Sequence, residues 1–342
     1  MSFENQIYPT PPEPPRLLFA SERTARDLGK RADLVRVGRG VYLPQPPRGA
    51  PPWKARRQLT LARCAAALRA VPSAIALTHE AAAVVLGLAS LRQEPGIRLA
   101  TPAGVSHRPY RFPVLSVDGR PAAVVGLTRS LIAPAPGEVA VVSGLRVTTP
   151  LRTAMDCAFD LSVRESLPII DSALRAVCRP DRRTRGATTP VPVAEACARL
   201  AQMVEHQGPR RGAHRARVAV ALADPLAESP GESVLRWAVA AAGLPDPVTQ
   251  RPVAVDGRTY FLDLGLEEFV FDWEFDGLGK TATPEDLRAE KRRELALRRI
   301  GWDVQRFEWR ELFAPERLVR RMLGLVPVVA AAAARPRKDL WL

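Results

Sequence analysis

The chain has 342 residues, 46% of them apolar, with 50 Lys and Arg against 36 Asp and Glu, a net charge of +14 and a pI near 10.6. That length supports two or three domains with proper cores, and the charge points to a polyanionic partner such as nucleic acid. No uncharged apolar run reaches membrane-spanning length, and the opening MSFENQIYPTPPEPP lacks the basic and apolar regions of a signal peptide. The expectation is a cytoplasmic protein without a membrane partner. Cys64, Cys157, Cys178 and Cys197 stand singly, without CxxC spacing, and are expected to be reduced and buried.

The proline-rich stretches PTPPEPPR and PQPPRGAPPW bracket a small unit from Leu17 to Leu43. Within it SERTARDLGKRADL begins on a Ser cap and reads as one helix, and VRVGRGVYL reads as a hairpin turning at Gly38 to Gly40. Helix plus hairpin suggests a winged unit. From Trp53 to about Ala221 the pattern is α+β, with helices at RRQLTLARCAAALRAV and THEAAAVVLGL, strands at AAVVGL and EVAVVSGLRVT, and a helix after TTP capped by Thr149. In that helix Arg152 and Asp156 lie four apart and read as an ion pair. His79, His107, His206 and His214 are scattered without metal-ligand spacing.

The GRGVYLP turn, LTHEAAAVVLGL, GLRVTTPLRTAMDCA and IIDSALRA resemble the N-terminal and central regions of abortive-infection (AbiEi-type) antitoxins. The resemblance covers about half the chain and implies a winged-helix DNA-binding module followed by an antitoxin-like domain. The chain departs from a full helix-turn-helix in offering one helix, not two, between Pro15 and Val35.

Positive charge is concentrated upstream, with about 32 basic against 17 acidic residues up to position 227 and near neutrality beyond it. It is densest between Arg175 and Arg217, where little apolar periodicity is visible. That stretch reads as a basic connector, either a solvated linker or a stripe in which Arg210, Arg211, Arg215 and Arg217 track phosphates.

The last part opens with Ser229, Pro230 and Glu232, a capping box starting a helix that Gly243 and Pro245 stop. Two strands follow, RTYFLDLGL with Asp263 in an apolar run, and EFVFDWEFDG. In the second, Phe269, Phe271, Trp273 and Phe275 alternate with Asp272, Glu274 and Asp276, putting three carboxylates on one face and aromatics on the other. Asp272 is expected to face solvent. Such repulsion would be offset by a hard divalent cation, Mg²⁺ or Mn²⁺, if Asp263 joins the cluster. A second capping box, Thr283 to Asp286, opens the helix PEDLRAEKRRELALRRI, whose outer Arg288, Lys291, Arg292 and Arg299 could grip phosphates or pair with Glu290 and Glu294. WDVQRFEW then reads as a strand and PERLVRRMLGL as a helix, giving α-β-β-α-β-α.

SPGESVLRWAVAAAGLPDP, the Asp263 strand, WEFDG and LRAEKRRELALRRIGWDVQRF together resemble the Vsr-like endonuclease domains related to very-short-patch-repair enzymes, over about 100 residues. The resemblance implies a PD-(D/E)xK core with Asp263 and Glu274 on the metal, Glu232 adding a carboxylate and Asp276 following in the E-x-D position. Asp276 stands where a lysine is usual, and Lys280 replaces a frequent histidine. Lys280 is read either as polarising the scissile phosphate or as a surface lysine, and Glu232 either as a ligand or as a helix cap.

The expected architecture is therefore α+β and multidomain. It comprises a winged-helix-like unit over 1–50, an AbiEi-antitoxin-like α+β domain with the connector over 51–221, a restriction-endonuclease-like α/β domain over 222–330 and a tail over 331–342. The expected function is a DNA-binding, Mg²⁺-dependent endonuclease in phage defence or DNA repair, with a toxin or defence-system protein as a further partner. The alternative is a catalytically inactive antitoxin-like transcriptional regulator; an RNA-acting nuclease is a third reading.

Overall fold

A computed structural model of the protein describes residues 9–45, 49–102, 110–117, 120–277 and 284–341. The chain is mixed α and β and divides into two compact units, Pro9–Cys157 and Ala158–Leu342. Among the described residues no helix is long and apolar enough to cross a membrane.

The first unit begins with β1 (Leu18–Phe19), α1 (Glu22–Leu28), β2 (Leu34–Gly38) and β3 (Val41–Pro44), the strands forming a sheet in the order β1-β3-β2. The expected helix and hairpin are both present, but the helix is only 7 residues long and ends before Gly29. Val37 and Leu43 of the hairpin pack with Ala55, Leu59 and Ala62 of α2 (Pro52–Ala70) in one core cluster. Next come β4 (Ala76–Thr78), α3 (His79–Leu86), β5 (Ile97–Thr101), β6 (Tyr110–Arg111), β7 (Ser116–Val117), β8 (Arg120–Pro121), β9 (Gly126–Leu131), β10 (Val139–Val142), β11 (Leu145–Thr148) and α4 (Pro150–Asp160). Six of the strands form a mixed sheet in the order β10-β11-β4-β5-β9-β6. The strand expected over AAVVGL starts late, at Gly126. Arg152 and Asp156 do pair, at 3.1 Å, and the buried Asp156 also accepts from the Thr78 hydroxyl at 2.6 Å.

The second unit opens with α5 (Val163–Cys178), α6 (Val193–Glu205) and α7 (Ala213–Ala221). The stretch read as a basic connector thus contains one whole helix, the end of a second and the start of a third. Ala196, Leu200 and Val204 line one buried stripe of α6, and Ala213, Ala216 and Ala219 one of α7. Then follow α8 (Pro230–Ala242), β12 (Val248–Val255), β13 (Arg258–Leu266), β14 (Phe271–Asp276), α9 (Pro284–Arg299), β15 (Asp303–Glu308), α10 (Trp309–Leu312), α11 (Pro315–Leu325), α12 (Val328–Ala333) and a 3-10 turn at Lys338–Trp341. The sheet order is β12-β13-β14-β15, antiparallel except for the parallel pair β14 and β15, which α9 connects.

Helix α8 is buried all round and fastens the unit together. Gly243 ends it in the left-handed region (φ 71°), where a side chain would overlap the backbone of Arg335. The Trp237 indole donates to the Leu340 carbonyl at 2.8 Å, and Leu340 is buried, so the last residues belong to this core.

Candidate carboxylate site

The site is built where the N-terminus of α8 meets β12, β13 and β14. Ser229 caps α8, accepting from the Glu232 N–H at 3.2 Å. Glu232 lies in the first turn, and its carboxylate reaches back to the Glu228 N–H at 2.9 Å. The capping reading of Glu232 is thereby met, and the same oxygen also accepts from the Gln250 amide at 3.1 Å. That amide lies 3.5 Å from Asp263, whose other oxygen accepts from the Phe275 N–H at 3.1 Å. The ladder pairs Leu264 with Trp273, so Asp263 enters the space next to Glu274 from the neighbouring strand. Phe275 packs on Gly231, where any Cβ would overlap its ring, so the start of α8 sits directly on β14.

Gln250 is the residue that ties Glu232 to Asp263, and its backbone is in the left-handed region (φ 49°) inside a strand. Such a conformation costs on the order of 1–3 kcal/mol in a non-glycine residue and persists only when its surroundings enforce it. Arg185 supplies part of that enforcement by donating to the Thr249 carbonyl at 3.0 Å.

The expectation that Asp272 faces solvent is overturned. β14 lies between β13 and β15, and Asp272 is completely buried. Its partner is Arg293 of α9, at 3.1 Å, and Arg293 also pairs with Glu274. Asp272 and Glu274 thus share one face and one guanidinium, as strand alternation requires. Arg306 of β15 approaches the other Glu274 oxygen at 3.4 Å and pairs with Glu290 and Glu294. Asp276 is exposed at the end of the strand, and Lys280 and Thr283 lie outside the described residues.

The electrostatics divide the carboxylates into two groups. Burial pushes Asp263 well above the usual carboxylate range, and repulsion from Glu232 and Glu274 adds to it. Burial likewise raises Glu232 to about 7 and Asp272 to about 9, the latter helped by Glu274 and opposed by Arg293. Among the described residues Asp263 and Glu232 have no Lys or Arg within ion-pair distance. Asp272 and Glu274, in contrast, are held by arginines. Also among the described residues, no group of three or more His, Cys, Asp or Glu is arranged to hold a metal ion as it stands.

The residues expected to meet phosphates occupy two separate surfaces. Arg288, Lys291 and Arg292 lie exposed along α9. Arg210 stacks over the Phe159 ring at 3.8 Å, Arg215 donates to the Phe159 carbonyl, and Arg217 pairs with Glu205 at 2.6 Å, while Arg211 is exposed. The sequence reading missed Gln250, Arg293 and Arg306. It also missed Glu228, which takes Arg175 at 2.9 Å and Arg182 at 3.5 Å beside the site.

Proteins from two strains of Mycobacterium tuberculosis, CDC 1551 / Oshkosh and ATCC 25618 / H37Rv, each named only as an uncharacterized protein, are 29% identical to the chain over 166 residues. The match covers 48% of this chain and 55% of each relative, so the chain spans about half the length of the curated relatives it matches. No protein-family model matches the chain, and no solved structure does.

Proposed function

We propose that the protein is a DNA-binding, divalent-cation-dependent phosphodiesterase whose active centre is the carboxylate site of its second unit. The observation that carries this reading is the pairing of Asp263 with Glu232. A buried carboxylate, Glu232, and a half-buried one, Asp263, are bridged by one neutral amide, with a further carboxylate, Glu274, beside them and, among the described residues, no Lys or Arg in ion-pair contact with the first two. Leaving such charges uncompensated is costly, and a positive partner would offset the cost. The donor set is all oxygen, which fits Mg²⁺ or Mn²⁺ and argues against softer metals. Asp263, Glu232 and Glu274 are the residues that would hold the ion, which when bound activates water and stabilises charge on a phosphate.

The chain's own groups prepare this chemistry. The Phe275 N–H and the Gln250 amide orient the Asp263 carboxylate, and the Glu228 N–H orients that of Glu232. Exposed Arg288, Lys291 and Arg292 give the same unit a basic surface suited to a phosphate backbone. The element order α8-β12-β13-β14-α9-β15 supports the Vsr-like, restriction-endonuclease-like reading of this unit, and the helix with hairpin near the N-terminus supports a winged-helix-like role in DNA binding. A place in phage defence, with a toxin or defence-system partner, is the reading the AbiEi-like resemblance suggests, and a place in repair the one the Vsr-like resemblance suggests.

The second reading, an antitoxin-like regulator that binds DNA without cutting, is favoured by one observation: both Glu274 oxygens are already engaged by Arg293 and Arg306. The two readings separate in one experiment. With Mg²⁺ or Mn²⁺ and single- or double-stranded DNA, wild type is expected to cleave, and Glu274→Gln to abolish cleavage while retaining DNA affinity. DNA binding without cleavage by wild type, together with no heat of metal binding in calorimetry, would establish the regulator instead. Cleavage confined to RNA would redirect the substrate class.

A further inference from the structure

We infer that Arg293 is the resident counter-ion of the carboxylate site, and that a divalent cation engages Glu274 only in exchange for one arm of this guanidinium. The inference rests on the metal-dependent reading above and assigns Arg293 as a positioning residue acting through Glu274.

The guanidinium is divided between two tasks. Its Nη2 donates to the Asp272 carboxylate at 3.1 Å and to the Phe261 carbonyl of β13 at 3.0 Å, which anchors it to the sheet. Its Nη1 pairs with Glu274 and, at 3.4 Å, with Glu290 one helical turn away. Releasing Glu274 therefore leaves the Nη2 arm in place. The two carboxylates differ in what they would lose. Asp272 is completely buried, and Arg293 is its ion-pair partner among the described residues, whereas Glu274 also has Arg306 and lies beside Asp263. The arm on Glu274 is the one that can be given up.

The local balance of charge gives the exchange its drive. Arg293 and Arg306 pair with Asp272, Glu274, Glu290 and Glu294, Arg298 also pairs with Glu294, and Asp263 is repelled by both Glu274 and Glu232. Even with Arg298 counted, the carboxyl groups outnumber the guanidiniums, and a divalent ion offsets the difference. The ion must still compete with Nη1 for Glu274, so Arg293 sets the threshold at which it binds. This accounts for the absence, among the described residues, of a three-carboxylate group ready to hold an ion: Glu274 is turned toward α9 by its pairing.

The test is Mn²⁺ binding by isothermal calorimetry, with the Mn²⁺-induced rise in melting temperature as a second readout. Removing Arg293 alone would leave Asp272 buried without a partner, so the informative variant is Asp272→Asn with Arg293→Met. It is expected to bind Mn²⁺ about 10-fold more tightly than wild type, the scale on which groups behind metal ligands act. Adding Glu274→Gln should remove that gain. Arg293→Lys keeps the charge but not the two-armed fork, and should tighten binding to a smaller degree, which keeps the test alive should the double variant fail to fold. Unchanged or weaker Mn²⁺ binding in the folded variants, with wild type binding normally, overturns the counter-ion role and leaves the metal-dependent reading standing. A gain that survives Glu274→Gln also overturns it. No Mn²⁺ binding by any form overturns the inference together with the reading on which it rests.

Discussion

Helix α8 contributes to two carboxylate sites one turn apart, and they are resolved in opposite ways. Around Asp171, Arg236 of α8 pairs with the carboxylate, the Ser233 hydroxyl donates at 2.7 Å and the Asp224 N–H at 2.8 Å. Around Asp263, the donors are the Phe275 N–H and the Gln250 amide, and Glu232 of α8 adds a like charge. Burial pushes both aspartates up. At Asp171 the Arg236 guanidinium, the Ser233 hydroxyl and the Asp224 N–H oppose the shift, whereas at Asp263 Glu232 and Glu274 enlarge it. One site meets its carboxylate with a guanidinium; the other, among the described residues, meets it with neutral donors and further carboxyl groups. Sites of the second kind are where function is expected, since folding alone gives no reason to retain them.

The strongest way to break this contrast is at the satisfied site. Arg236→Met should remove about 3–5 kcal/mol of stability in urea denaturation, because Asp171 would remain buried without its cation. Glu232→Gln, four residues earlier on the same helix, should be neutral or stabilising at neutral pH. A comparable loss from both would show that the carboxylate site is held together like the ion pair and would erase the distinction.

The next effect is smaller and depends on pH. Glu232 is raised in the folded state from 4.5 to about 7, so the folded protein holds a proton that the unfolded chain gives up. The sign follows: this contribution to stability is complete below about 4.5, declines as pH rises toward about 7, and is constant above that. The decline should be on the order of 3 kcal/mol, and Glu232→Gln should flatten it. Denaturation midpoints between pH 4 and pH 8 measure it. A stability that rises through that window in wild type would mean that Glu232 finds a positive partner in solution.

Much of this unit was legible from residue patterns, and what was hidden has identifiable causes. Ser229 and Gly243 mark the ends of α8, and the alternation in FDWEFD correctly gathers Asp272 and Glu274 on one face. β12 was hidden because Pro252 interrupts its pattern, which an edge strand tolerates. Burial of Asp272 depends on β14 having strands on both sides, a fact that strand alternation cannot supply. Arg293 was concealed in the run Lys291, Arg292, Arg293; its phase with the buried Leu297, four residues on, is the signal that it turns inward. Gln250 carries no charge and gives no pattern, so only the tertiary structure reveals it. The helices between Arg175 and Arg217 were masked by arginines whose side chains stack and pair within the fold, as with Arg210 on Phe159.

That last point separates two basic surfaces that look alike in sequence, and it yields the smallest predicted effect. Arg210, Arg215 and Arg217 spend their guanidiniums on Phe159 and Glu205. Arg288, Lys291 and Arg292 project from α9 into solvent. A phosphate contact made by an exposed cation releases a counterion, and each one lost should reduce the slope of log affinity against log salt by about 0.9 for duplex DNA. Changing Arg288, Lys291 and Arg292 to Gln should therefore flatten the slope, measured by fluorescence anisotropy over a series of salt concentrations. The same change at Arg210, Arg215 and Arg217 should leave the slope nearly unaltered while lowering thermal stability, because it removes a cation stacked on a ring and an acceptor's donor. The opposite outcome would return the phosphate-tracking role to the upstream arginines and leave α9 with its internal pairs, Arg293 and Glu290 among them, as a structural helix.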